Sequence, residues 1–174
     1  MSMFRGFKLP QLFRKGSPGS EICKDVPRFK CSELQAVKQR IGQGSFGDVY
    51  TSVYKGTGET TCQTVVVKKM LQGLDQEEKK LFYKEVKLLN DLHYPNIVRL
   101  KGISFQPLAM MLEYVYFDFK HFGCDGVCVH SLSDFLLQIN EFNCEGLCEL
   151  VSHAAKEIVK GLPHLHSKIG RAHV

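Results

Sequence analysis

The sequence has no apolar run long enough to cross a bilayer, and its N-terminus shows no signal-peptide pattern. Residue 2 is serine, so the N-myristoylation pattern is absent. No internal repeat is visible, and neither charge sign dominates. The 23 Lys and Arg against 18 Asp and Glu leave a net charge of +5. That suits an anionic small ligand and is too diffuse to argue for nucleic acid. The seven cysteines are an odd number without a secretory signal, which favours reduced thiols and a cytoplasmic setting. The length of 174 residues with 44% apolar content predicts one modest packed domain.

The most informative segment is Ile41-Gly42-Gln43-Gly44-Ser45-Phe46-Gly47-Asp48-Val49-Tyr50, followed at strand distance by Val65-Val66-Val67-Lys68. Glycines at 42, 44 and 47 let the backbone approach phosphate oxygens without a Cβ in the way. Backbone amides there can face an anion, and a lysine adds a mobile charge. A dinucleotide site would need a helix directly after the third glycine. Here a β-branched and aromatic run follows instead, so strand–turn–strand is expected.

Strands are expected near 34–41, 48–54, 63–70, 98–104 and 109–113, with a hairpin turn at Lys55-Gly56-Thr57-Gly58-Glu59. A helix over 75–91 starts at the capping-box pair Asp75 and Glu78. Its apolar stripe is Phe82, Val86 and Leu89, with Leu81 and Leu92 beside it. Glu85 interrupts that stripe. A carboxylate there either reaches water at the stripe's edge or pairs with a lysine of the third strand. Val66 and Lys68 share one face and Val67 and Lys69 the other, and spacing alone does not decide between the lysines.

Further helices fit 131–140, with Leu132, Phe135, Leu136 and Ile139 inward, and 145–166, with Leu147, Val151, Ala154, Ile158, Leu162 and Leu165 at helical spacing. Gly161 and Pro163 are expected to weaken the last turns. His153, His164 and His166 read as surface or helix-end histidines. Residues 1–33 read as a flexible basic lead-in rich in Gly, Pro and Ser. Phe4, Phe7, Leu12 and Phe13 alternate with basic residues and could touch a membrane surface, but Pro10 interrupts a helix and a solvated tail is the simpler reading. Cys124/Cys128 and Cys144/Cys148 share a C-x-x-x-C spacing near His121 and His130. This is the loose end of structural zinc patterns, so free thiols are the simpler reading and no metal ligand is assigned.

Taken together, these segments resemble the N-terminal lobe of a eukaryotic protein kinase. The glycine-rich stretch matches that family's G-x-G-x-x-G-x-V, and Val65-Val66-Val67-Lys68 matches V-A-I-K with Val66 in the alanine position. Leu92-His93-Tyr94-Pro95-Asn96-Ile97-Val98 is similar to its H-P-N-I-V turn, with Tyr94 in the second-histidine position. Met111-Leu112-Glu113-Tyr114-Val115 looks like the last strand and hinge. The wording of Ile97-Val98-Arg99-Leu100-Lys101-Gly102 is similar to tyrosine-kinase-like and tyrosine kinases. The resemblance implies an α+β fold. A five-stranded antiparallel sheet with one helix would occupy 34–115, and a hinge-proximal insert and the first helices of an incomplete C-lobe would occupy 116–168.

The resemblance also implies the site. ATP would lie under a flap of Gly42, Gln43, Gly44, Ser45, Phe46, Gly47 and Asp48. Ile41 and Val49 would sandwich the adenine, with Val66 nearby and Leu112 as gatekeeper. The Glu113 carbonyl and the Val115 backbone would bond its edge. Lys68 would hold the α- and β-phosphates and pair with Glu85, since family members ending in two lysines use the first.

Leu162-Pro163-His164-Leu165-His166-Ser167-Lys168 resembles G-L-x-Y-L-H-S, with His164 for Tyr. The next words of the family, H-R-D and D-F-G, are absent from these residues. The segment 169–174, Ile-Gly-Arg-Ala-His-Val, has the wording of a translated sequencing adapter and is expected to be a non-native scar. The resemblance therefore implies a kinase that transfers the ATP γ-phosphoryl group to a protein hydroxyl, with Mg²⁺ expected only in the full-length parent and this stretch inactive alone. Two other readings stand beside it: a non-catalytic pseudokinase module that engages a partner, and a zinc-stapled interaction domain.

Overall fold

The computed structural model describes residues 18–44, 47–56, 58, 60–142 and 147–169. A short helix α1 (Pro18–Ile22) precedes β1 (Leu34–Gly44), β2 (Gly47–Tyr54) and β3 (Gln63–Met70). Helix α2 (Gln76–Asp91) follows, then β4 (Leu100–Phe105) and β5 (Leu108–Glu113). These five strands form one antiparallel sheet in the order β1-β2-β3-β5-β4. The run of three valines in β3 fits its central place, since a strand buried on both faces favours β-branched residues over strict alternation.

Register sorts the faces. Val49 of β2 pairs with Lys68, which pairs with Met110, and Val66 pairs with Leu112. This face looks toward α2, where Met70, Phe82, Tyr83, Val86, Leu100, Ile103 and Met110 form a buried cluster. Val65, Val67, Ala109 and Met111 point the other way and pack under Phe29. Helix α2 starts as its sequence dictates. The Glu78 amide donates to Asp75 Oδ1 at 2.8 Å, and the Asp75 amide donates to Glu78 Oε2 at 2.8 Å. Its buried face is Phe82, Tyr83 and Val86, whereas Leu81, expected beside the stripe, is 53% exposed. Tyr83 takes the inward direction because residues 19–29 cover it.

That covering corrects the lead-in assignment. Within 1–33, residues 1–17 lie outside the described residues, but 19–29 are packed. Cys23, Val26 and Phe29 are all buried. The Ile103 amide donates to the Pro27 carbonyl at 2.8 Å, and the Phe29 amide donates to the Ile103 carbonyl at 3.1 Å. Strand β4 is a sheet edge, and an edge exposes unpaired backbone groups that a covering segment satisfies.

After the sheet come β6 (Phe117–Asp118), a 3₁₀ turn (Phe119–Phe122), β7 (Cys128–Val129), α3 (Leu132–Phe142) and α4 (Leu147–Ile169). The insert is thus a small hairpin, not a bare loop. Its core is aromatic: Phe119 is fully buried and packs against Phe117, Phe122, Phe135 and Phe142. Of the four residues expected inward on α3, Phe135 is buried and Ile139 is partly buried, but Leu132 and Leu136 are exposed. The hairpin covers only one narrow strip of that helix. Helix α4 runs through Pro163 to Ile169 rather than failing at Gly161. No helix among the described residues is long and apolar enough to cross a membrane.

Candidate nucleotide-binding site

The glycine-rich segment is the β1–β2 hairpin. Gly42 pairs with Val49, Gln43 with Asp48 and Gly44 with Gly47. The tip residues Ser45 and Phe46 lie outside the described residues. Gly42, Val49, Lys68 and Met110 form one row across four strands, so the hairpin and the lysine share a face. Register slips between Arg40 and Gly42, at Ile41, which bends β1 where the hairpin begins. Asp48 is held by Arg40 in an ion pair across the hairpin, with both side chains about half exposed.

The two glycines whose surroundings are described differ. A Cβ on Gly47 would stand 2.1 Å from the Lys69 carbonyl oxygen, while one on Gly42 would meet only the Val49 Cβ at 3.9 Å. Gly47 is therefore required by the approach of β2 to β3. Gly42 has open space beside it, as a residue facing a ligand needs.

Lys68 Nζ donates to Glu85 Oε1 at 2.8 Å and to Oε2 at 2.9 Å. Lys68 is 19% exposed and Glu85 43%, so the lysine emerges from the sheet while the carboxylate faces solvent. Lys69 is exposed and sits on the opposite face, paired with Asp48 and Ala109. An ion pair this open contributes about 1 kcal/mol or less, so its worth lies in orientation more than in stability. It also answers the question that Glu85 raised: the acid that breaks the apolar stripe has a partner.

Leu112 and Glu113 end β5, and Tyr114 and Val115 follow it. Leu112 is half-buried against the cluster under α2. The Glu113 amide donates to the Arg99 carbonyl at 2.9 Å, and the Arg99 amide donates to Glu113 Oε1 at 2.7 Å, which fixes the strand's end against the chain entering β4. Val115 is exposed. Tyr114 stacks on Tyr116 with ring centroids 5.1 Å apart and lies 5.3 Å from the His130 ring. Burial, with the nearby Cys128 thiol and Tyr116 adding to it, pushes the Tyr114 phenol up.

The residues brought to one face are therefore Gly42, Val49, Val66, Lys68 and Leu112, with Glu85 reaching in from α2. Sequence reasoning missed Met110, two residues before Leu112 and directly beside Lys68. The period of two in β5 is the signal that would have found it. It also missed the stack of Tyr94 on His164, 4.7 Å between centroids and 18° between planes, which half-buries a histidine expected at the surface or a helix end. Of the zinc pattern, Cys128 is exposed and Cys124 half-buried, both as free thiols. Cys144 lies outside the described residues, as does the Cys148 side chain. Among the described residues no cluster of three or more His, Cys, Asp or Glu is placed to hold a metal ion.

A profile of the protein tyrosine and serine/threonine kinase family matches residues 35–169. The chain belongs to that family. It is 32% identical over 150 residues to serine/threonine-protein kinase dst1 of Dictyostelium discoideum, covering 85% of this chain and 17% of that protein. It is 34% identical over 93 residues to human inactive tyrosine-protein kinase 7, covering 52% and 9%. It is 29% identical over 110 residues to rat tyrosine-protein kinase JAK3, covering 57% and 10%. The chain thus spans less than a fifth of the length of each of these relatives.

Proposed function

We propose that this chain is the ATP-binding part of a protein kinase whose full-length form transfers the γ-phosphoryl group of ATP to a protein hydroxyl. The observation that carries this reading is the Lys68–Glu85 pair, set on the same sheet face as Gly42 and Val49. In the proposed complex the ammonium sits at the α- and β-phosphates, and Glu85 keeps it from swinging to solvent. The flap of Gly42, Gln43, Gly44, Ser45, Phe46, Gly47 and Asp48 covers the phosphates. Ile41, Val49 and Val66 enclose the adenine, Leu112 closes the rear, and backbone groups of Glu113 and Val115 bond its edge. Mg²⁺ is expected in the full-length form, since the family's H-R-D and D-F-G sequences are absent from these residues. Free thiols and the odd cysteine count support a cytoplasmic setting.

The 174 residues contain no H-R-D or D-F-G sequence. The purified polypeptide is therefore expected to bind ATP weakly and to show no autophosphorylation. Titration with a fluorescent ATP analogue tests this: the Lys68→Met variant should bind about tenfold or more weaker, because a charge-assisted contact to phosphate is lost. Equal affinity of the two proteins, or detectable autophosphorylation, would contradict the reading. A second reading, a non-catalytic module, is favoured by the similarity to an inactive kinase. Phosphoryl transfer by the longer parent, lost on Lys68→Met, rejects it.

A further inference from the structure

The family match begins at residue 35, yet Gly19, Cys23, Val26 and Phe29 ahead of it are buried, while Glu21, Ile22, Lys24, Asp25, Pro27 and Arg28 between them stay exposed. Residues 19–29 attach at three places. Gly19 lies against the Tyr83 ring so closely that a Cβ would stand 2.0 Å from Cζ. Cys23 and Val26 sit inside the cluster formed with Tyr83 and Val86 of α2 and Ile103 of β4, and the Cys23 thiol donates to the Tyr83 carbonyl at 3.8 Å. Residues 27–29 pair with Ile103, and the Arg28 guanidinium lies 5.3 Å over the Phe105 ring.

The strap of residues 19–29 therefore joins α2 to the sheet edge at β4, in the same cluster that holds Met110 beside Lys68. Tyr83 and Val86 bracket Glu85 in sequence. With about 100° per residue, their directions fix the direction of Glu85. On a helix of about 5–6 Å side-chain radius, a rotation of roughly 30° would sweep the carboxylate by about 3 Å. That is as long as the contact Glu85 makes with Lys68, so loss of the strap's grip on Tyr83 and Val86 breaks the pair.

We infer that residues 19–29 form a positioning strap: Gly19, Cys23 and Val26 hold α2 in the rotation that brings Glu85 to Lys68. Strap docking and nucleotide binding are then coupled, and coupling is reciprocal: ATP tightens the strap as much as the strap favours ATP. The nucleotide half of this statement rests on the proposed ATP site; the link between strap and ion pair does not.

The Cys23 thiol reports strap release, because it is 0% exposed while docked. Its labelling by a maleimide, read by peptide mass spectrometry on the 174-residue chain, can be compared with that of exposed Cys62. Glu85→Gln should accelerate Cys23 labelling by about two- to fivefold, the limit set by an open ion pair, with Cys62 labelling and amide exchange at 65–67 unchanged. ATP should slow Cys23 labelling in the wild type and have no such effect in Glu85→Gln. Val26→Asp should weaken ATP binding about fivefold in the wild type and not further in Glu85→Gln. Unchanged Cys23 labelling in Glu85→Gln overturns the proposal, as do additive effects of the two substitutions. If the wild type binds no ATP but Glu85→Gln still releases Cys23, the nucleotide reading fails and the strap stands. The labelling comparison needs no change in the strap, so it holds even if Val26→Asp fails to fold.

Discussion

A β-carbon at position 47 would collide with the Lys69 carbonyl, whereas one at position 42 would meet almost nothing. The two glycines of one motif therefore answer different demands. Gly47→Ala should destabilise the chain by about 1–3 kcal/mol, because the backbone it would strike cannot rotate aside. Gly42→Ala should change stability by less than about 1 kcal/mol, and its effect should fall on nucleotide affinity instead. Denaturant midpoints of both variants, measured beside ATP titrations, check this; equal losses of stability would contradict it. The motif was legible as letters, but the reason for Gly47 was not, since the atom it avoids lies 22 residues further along a partner strand. Lys68 and Lys69 show the same limit. Alternation leaves two faces open, and only register against Val49 and Met110 tells which face meets α2.

At the scale of elements, the strands and α2 were readable because their signals are local. Alternation, the valine run and the Asp75–Glu78 capping box all act within a few residues. The fate of α4 was not readable in this way. Pro163 costs a helix a backbone bond, yet the helix continues to Ile169, with Asn96 packed against it before the proline and Tyr94 stacked on His164 just after. Gly161 lets Asn96 approach to within 3.3 Å of where a Cβ would be, and the Asn96 side-chain Nδ2 donates to Glu157 Oε2 at 2.7 Å. Hydrogen bonds from Lys160 and Asn96 hold the Glu157 carboxyl below its ordinary range. The family words place His where Tyr94 stands and Tyr where His164 stands, and the structure stacks these two exchanged rings on each other. A double-mutant cycle of Tyr94→Ala and His164→Ala should give a coupling of about 0.5–1.5 kcal/mol. Additive losses would show that the rings do not support one another.

Across the whole molecule, the sheet and α2 form one packed unit, while α4 keeps Ile158, Val159 and Leu162 exposed. Helical spacing on α4 implies a buried stripe, but only its first part, Val151 and Ala154, packs against the aromatic cluster, and Ile158 and Leu162 are left exposed. In sequence, residues 19–29 have the look of a tail, because their partners, Tyr83 and Ile103, lie far along the chain and no local pattern announces them. The proposed nucleotide site is one face of the sheet, from Gly42 through Val49 to Lys68. The most direct test is an ATP titration of isotope-labelled chain, followed by backbone amide resonances. The account predicts that Gly42, Gln43, Val49, Lys68 and Val115 shift together and saturate on one curve, with the amides of 158–162 unmoved. Saturable shifts confined to α4, or no shifts at all, would contradict it.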